Sequence, residues 1–123
     1  ALEMGILPGG GIALMDEISF ISMDIEGDEV TAKLIMDSAL MYPFNQIVMN
    51  AGENPEALID SGELGGGFGY DPKTRKIGNM IEMGIIDPTK VTINALQNAT
   101  SVATTILMTS AIITNVREDE SSR

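Results

Sequence analysis

Residues 78–92, GNMIEMGIIDPTKVT, contain the signals that set the architecture of this chain. Residues 79–83 have the character of a brief helical turn, which Gly84 would end. Asp87 and Pro88 then predict the start of a helix, because Asp is a good N-cap and Pro suits the first helical position. We therefore expect a short turn followed by the last and longest helix.

Apolar residues recur every three or four positions after Pro88, which predicts a long helix with an apolar side. They are Val91, Ala95, Leu96, Ala99, Val102, Ala103, Ile106 and Leu107. Residues 112–116 are apolar and mostly β-branched, and we expect a strand there.

Glycine dominates the segment that precedes residues 78–92. Residues 65–70, GGGFGY, break any helical pattern. Residues 71–74, DPKT, have turn chemistry because Asp and Pro favour tight turns. We predict a short β-hairpin with this turn at its tip.

Two helices are expected in the middle of the chain. One starts near Asp28 and uses an apolar side made of Val30, Leu34, Ile35, Leu40 and Met41. Pro43 should end or kink it, and the helical pattern that follows should stop at Gly52. Asn54, followed by Pro and Glu, predicts the start of the next helix, which should last until about Leu64.

The first residues predict a helix end over residues 1–8 that runs into a turn at Leu7 and Pro8. Three glycines at residues 9–11 follow, and a further helix begins after them, with apolar positions at Ile12, Leu14, Met15, Ile18 and Ile21. The predicted fold is mainly α and multihelical, with a small β-hairpin and a C-terminal strand. No internal repeat is visible.

Composition excludes several classes of chemistry. The 123 residues include no histidine and no cysteine, so a disulfide scaffold, an imidazole or thiolate metal site and a Ser-His-Asp group are all excluded. The formal net charge of -11 argues against a nucleic-acid partner, because binding to phosphates depends on basic residues. We expect no signal peptide and no membrane span.

Four stretches resemble the group I chaperonins, the GroEL family. They are GGGIAL at residues 9–14, QIVMNAG at 46–52, FGY at 68–70 and GNMIEMGIIDPTKVT at 78–92. The match is colinear and extends to about Val116. By this resemblance, residues 1–123 form the C-terminal part of a discontinuous equatorial domain, which in the family binds ATP and makes ring contacts.

The resemblance implies a function in assisted protein folding and refolding, with ATP as the cofactor. The implied partners are other chaperonin subunits in a ring oligomer, unfolded polypeptides bound through domains outside this chain, and a co-chaperonin. No nucleic acid and no membrane is implied. The implied location is the cytoplasm, or an organelle matrix in a eukaryote.

Gly10 is the first candidate site residue. In the family the middle glycine of this turn contacts the ribose region of the nucleotide, and Gly10 matches it. Glycine suits such a contact because no Cβ keeps the ligand away from the backbone. The alternatives are an ordinary loop before a helix and close packing of the backbone.

Two more candidates come from the stretch at residues 78–92. The Asp that matches Asp87 accepts hydrogen bonds from ribose hydroxyls in the family, and Asp87 also fits a helix N-cap. One carboxylate has enough lone pairs for both roles. Ile85 matches an apolar contact to adenine, with core packing as the alternative.

Asp71, Pro72 and Lys73 match the segment that contacts the adenine edge, but they depart from the Asn and small residues that the family often has. Proline lacks an N–H, and Asp cannot donate as Asn does. Carbonyl contacts could persist, and a plain solvent turn is the alternative. This departure also leaves open a non-catalytic assembly module that has lost nucleotide binding.

No catalytic residue is expected in this chain. The family's phosphate loop, its water-orienting Asp and the residues that hold Mg²⁺ have no counterpart here, and phosphoryl transfer depends on such groups. We therefore expect the chain alone to be inactive as an ATPase, although full-length relatives hydrolyse ATP. The isolated chain should also be marginally stable or self-associate, because the other half of the equatorial domain, against which its elements would pack, is missing.

Overall fold

The computed structural model describes residues 4–18 and 26–121, with side chains to residue 114. It is mainly helical, as predicted. The helices are α1 (Ile12–Asp16), α2 (Asp28–Asn50), α3 (Pro55–Asp60) and α4 (Thr89–Ser121). The strands are β1 (Ile6–Pro8), β2 (Phe68–Asp71), β3 (Lys76–Asn79) and β4 (Ile86–Pro88), and they form two sheets, β1 with β4 and β2 with β3.

The chain divides into two compact units. The larger unit is Ile6–Asp87, and it contains all six predicted nucleotide-contact residues. The smaller unit consists of Ala1–Gly5 and Pro88–Arg123, and it contains helix α4.

A small apolar core holds the larger unit together. Ile12 of α1, Phe44 and Val48 of α2, Tyr70 of β2 and Met80 pack as one buried cluster. Phe44 and Val48 are four residues apart and therefore share one helix face. Helices α1 and α2, strand β2 and the turn after β3 thus meet at a few aliphatic and aromatic side chains.

Helix α2 begins at Asp28, as predicted, but Pro43 lies inside it and does not end it. Phe44 and Val48 are buried directly after the proline, and this packing offsets the lost backbone hydrogen bond. The helix ends where it was expected to. Gly52 has φ +81° and donates to Met49 O at 2.9 Å, and Glu53 N donates to Val48 O at 3.1 Å, which is a Schellman motif.

The first half of α2 corrects one prediction about its apolar side. Leu40 is buried and Met41 half-buried, but Val30, Leu34 and Ile35 are exposed. Those three residues have the right spacing for a core face, yet no described segment of the chain covers them.

Helix α3 has the predicted cap, because Asn54 Oδ1 accepts a hydrogen bond from Glu56 N at 3.0 Å. The helix ends at Asp60 rather than near Leu64. Gly62 follows with φ +72°, and Ser61 Oγ donates to Leu58 O at 2.6 Å, so the last turn is closed locally and cannot continue.

The predicted hairpin is confirmed. Strands β2 and β3 are antiparallel, with Tyr70 opposite Ile77 and Asp71 opposite Lys76. After β3, Met83 N donates to Asn79 O at 3.0 Å and Gly84 has φ +75°, so the expected single helical turn is present.

Two predictions around β1 and β4 are wrong. Residues 6–8 form a strand rather than a helix end with a turn, because they pair with a segment about eighty positions away. Pro88 belongs to β4, and α4 begins one residue later at Thr89. Asp87 therefore lies in the strand, and Pro88 is not the first helical residue.

The predicted C-terminal strand at residues 112–116 is also wrong, because α4 continues through it to Ser121. No glycine or proline occurs between Thr89 and Ser121, so nothing ends the helix. The intrinsic strand preference of β-branched residues is weak beside helix propagation. Thr114 contributes a local bond, since its Oγ1 donates to Ser110 O at 3.0 Å.

Helix α4 presents apolar side chains to solvent. Val91, Val102 and Ile106 are about 60% exposed and Leu107 is 70% exposed. Residues 91–116 contain no charged side chain. The hydroxyls of Thr100, Thr105, Thr109 and Thr114 bond to carbonyls four residues earlier. Among the described residues, no helix is long and apolar enough to cross a membrane.

Candidate functional site

The three glycines at residues 9–11 form a tight turn between β1 and α1. Gly9 is buried, and its N–H donates to Ile85 O at 2.8 Å. Gly11 has φ +79°, and a Cβ there would lie 2.6 Å from Phe44 N, so helix α2 packs directly on its backbone. Only glycine allows both the conformation and this close approach.

Gly10 lies between these two packed glycines and is partly exposed. Its φ is +69°, and a Cβ would lie 3.5 Å from Met80 Sδ and 3.7 Å from Tyr70 O. Tyr70 directly precedes Asp71, so the glycine turn lies against the end of β2 that leads into the Asp71 turn. The structure thus brings Gly10 close to the Asp71 segment, through Tyr70, and to Ile85, through Gly9.

Ile85 is held at the same place by backbone bonds on both sides. Its N–H donates to Met80 O at 2.9 Å, and its carbonyl accepts from Gly9 N. The side chain is half-buried and packs against the core, so the core-packing alternative holds in part.

Asp87 lies two residues beyond Ile85, in the middle of β4, with its side chain exposed. The pairing of β4 with β1 fixes its backbone beside the strand that leads into the glycine turn. An exposed carboxylate at a fixed position is a suitable acceptor for hydroxyl groups of a ligand.

The turn at Asp71, Pro72 and Lys73 is exposed at its tip. Asp71 uses both carboxylate oxygens within the turn: Oδ2 accepts from Thr74 Oγ1 at 2.8 Å and Oδ1 from Lys73 N at 2.9 Å. These hydrogen bonds, that of Thr74 first, lower the pKa of Asp71 below its ordinary value. Arg75, with φ +59°, closes the turn by donating its N–H to Asp71 O at 2.7 Å.

This turn is therefore rigid, and its backbone is more available to a ligand than the Asp71 carboxylate. Pro72 has no N–H to offer. The carbonyl groups remain the acceptors that this segment could present to an adenine amino group.

The sequence analysis missed Asp16, the last residue of α1. Its Oδ1 accepts from Gly66 N at 2.9 Å and its Oδ2 from Gly67 N at 3.0 Å. A carboxylate at the C-terminal end of a helix is unfavourable for the helix dipole. The two hydrogen bonds from the glycine loop offset this cost. The apolar spacing predicts a helix that continues past Asp16 to Ile18, so no local feature of the sequence marked this residue.

The donor set suits the sugar and base side of a nucleotide. It offers a glycine backbone without a Cβ, an exposed carboxylate for hydroxyls and an apolar side chain. Among the described residues, no group of three or more acidic, His or Cys side chains could hold a metal ion.

Comparison with known families identifies the class of protein. Residues 1–117 match the model of the TCP-1/cpn60 chaperonin family, and the chain therefore belongs to that family. Its members act in protein folding, and membership implies that the chain works with other subunits in a ring oligomer and acts on substrate proteins.

Proposed function

We propose that this chain is the C-terminal half of the equatorial domain of a group I chaperonin subunit, and that it supplies the ribose and base contacts of an ATP site. The observation that carries the proposal is the convergence of Gly10, Ile85 and the end of β2 beside the Asp71 turn, with the Asp87 carboxylate exposed on the adjoining strand.

In this proposal each residue has a limited role. Gly10 allows the sugar to approach the backbone, Asp87 accepts hydrogen bonds from its hydroxyls, and Ile85 contacts one face of the base. The carbonyls of Asp71, Pro72 and Lys73 lie at the base edge. The phosphates and Mg²⁺ are held by residues outside this chain, and those residues supply the chemistry of hydrolysis.

The exposed apolar surfaces support the assignment to half of a domain. The first half of α2 and most of α4 present large aliphatic side chains to solvent. The hydroxyls of Thr100, Thr105, Thr109 and Thr114 already donate to carbonyls within α4, so these four side chains can be buried without leaving an unsatisfied hydroxyl donor. We infer that the other half of the domain covers these faces.

The assembled protein would work in the cytoplasm, or in an organelle matrix, on unfolded polypeptides and with a co-chaperonin. Its folding cycle would be driven by ATP binding and hydrolysis. The chain alone would lack ATPase activity.

The test is ATP binding by the assembled chaperonin that contains this chain. Asp87→Ala should weaken ATP binding by about tenfold, the size of one charge-assisted hydrogen-bonding group. Asp60→Ala is the matched control, because Asp60 is an exposed carboxylate of the same unit at the end of α3. Equal affinities for wild type and Asp87→Ala would refute the role of Asp87.

One observation favours a second candidate, an assembly module without nucleotide binding. Both oxygens of the Asp71 carboxylate already accept hydrogen bonds within its own turn, and Pro72 has no N–H. Under this alternative the assembled wild-type protein forms rings and does not bind ATP through this segment.

A further inference from the structure

Asp16 connects two segments that are far apart in the sequence. Its carboxylate receives the N–H groups of Gly66 and Gly67, fifty residues or more away. Both glycines have positive φ, +61° and +86°, and this conformation directs two successive N–H groups at one anion. The loop at residues 65–67 is therefore an anion-binding concavity, and the anion that fills it is a side chain of the protein.

A closed circuit of hydrogen bonds runs from this loop to the glycine turn. Gly67 O accepts from Met80 N at 3.0 Å, Met80 O accepts from Ile85 N at 2.9 Å, and Ile85 O accepts from Gly9 N at 2.8 Å. Five residues of α1 then lead from the glycine turn back to Asp16. The other hydrogen bonds of this circuit join backbone groups, and only those to Asp16 use a side chain.

The circuit includes or adjoins the residues proposed to contact the sugar and the base. Gly10 follows Gly9 directly, Ile85 is itself a member, and Gly67 precedes β2, which ends at Asp71. A change at Asp16 therefore reaches both sides of the site through two or three rigid bonds.

We propose that Asp16 is a positioning residue for the nucleotide site: its carboxylate holds the glycine loop at residues 65–67 and thereby sets the spacing between the Gly10 turn and the hairpin. The inference rests on the proposed nucleotide function. Asp16 itself does not contact the ligand.

The two oxygens of Asp16 make an informative substitution possible. Asp16→Asn keeps one acceptor for one glycine N–H, but its amide NH₂ faces the other N–H, and two donors cannot bond to each other. The variant loses one charge-assisted bond with almost no change in volume. Glu17→Gln is the matched control, because it removes the same charge from the next residue, which is exposed.

The experiment compares two ligands on the assembled chaperonin, ATP and inorganic triphosphate. Asp16 supports only the sugar and base side, so Asp16→Asn should weaken ATP binding about tenfold and change the affinity for inorganic triphosphate by less than about twofold. Glu17→Gln should leave both affinities unchanged. A general loss of structure would weaken both ligands together, so that pattern, or an unchanged ATP affinity, overturns the proposal.

A rescue experiment covers the case of a variant that assembles poorly. In Asp16→Ala the concavity is open, and formate added to the refolding buffer should restore both assembly and ATP affinity, whereas chloride at equal ionic strength should not. Failure of formate to restore ATP affinity overturns the proposal.

The wild type separates this inference from the proposed function. If the wild-type assembly binds no ATP, the nucleotide function is wrong and the role of Asp16 falls with it. If the wild type binds ATP and both Asp16 variants bind it equally well, only the role of Asp16 is wrong.

Discussion

The contact between the glycine turn and α2 predicts a large difference between two glycine substitutions. Gly11→Ala places a Cβ 2.6 Å from Phe44 N and 2.8 Å from Phe44 Cα, where the obstacle is helix backbone that cannot rotate away. Gly52→Ala has the same positive φ, +81°, but nothing lies within 4 Å of its Cβ. Both substitutions place an alanine at a positive φ, but only Gly11→Ala also brings a Cβ into contact with the backbone of α2.

The magnitudes follow from these distances. A left-handed conformation costs a non-glycine residue about 1–2 kcal/mol, which is the whole effect expected for Gly52→Ala. Overpacking against a rigid neighbour adds about 1–3 kcal/mol, so Gly11→Ala should cost roughly 2–5 kcal/mol.

The assay is hydrogen exchange of the α2 amides around Phe44 and Val48, measured by mass spectrometry on the assembled protein. The opening free energy of this segment should fall by the amounts given, more in Gly11→Ala than in Gly52→Ala. Equal effects of the two substitutions would refute the close packing of α2 on the glycine turn.

Three further predictions concern local features. Removing the Asn54 cap by Asn54→Ala should destabilise α3 by about 1 kcal/mol, seen as faster exchange of the Glu56 amide, and unchanged exchange would contradict the cap. The folded-state pKa of Asp71 is lowered, so its contribution to hairpin stability is present above the unfolded-state pKa and is lost as the pH falls through the folded-state pKa. Thr74→Val should raise the folded-state pKa in a carbon-13 NMR titration and move this loss of stability to higher pH. An unchanged pKa would contradict the Thr74 hydrogen bond. The isolated chain should show no ATP turnover and should self-associate, so measurable hydrolysis or a stable monomer at low concentration would contradict the half-domain proposal.

Features governed by neighbouring residues were predictable from the sequence. Gly52 ends α2 and Asn54 caps α3 because each acts on backbone groups within three or four positions. The hairpin was predictable for the same reason, since the Asp71 turn and its flanking strands are contiguous.

Features that depend on distant pairing were not predictable in this way. Residues 6–8 become a strand only because β4 lies beside them. The helix over residues 112–116 continues because nothing upstream stops it, and a local preference for β structure does not reverse that.

The candidate site also contains both residues that could be predicted from the sequence and a residue that could not. Gly10, Ile85 and Asp87 were predicted from the family resemblance, and the structure adds how the hydrogen bond between Gly9 and Ile85 brings Gly10 close to Ile85. Asp16 belongs to no motif, because its role depends on a loop fifty residues away.

Photolabelling most directly tests the central claim, which is that this chain contacts the base of bound ATP. The assembled chaperonin is irradiated with an azido-adenine analogue of ATP, with and without excess ATP, and the labelled peptides are identified by mass spectrometry. The account predicts ATP-protected labelling in peptides that contain residues 71–73 or Ile85. Labelling confined to other segments, or labelling that excess ATP does not prevent, would contradict it.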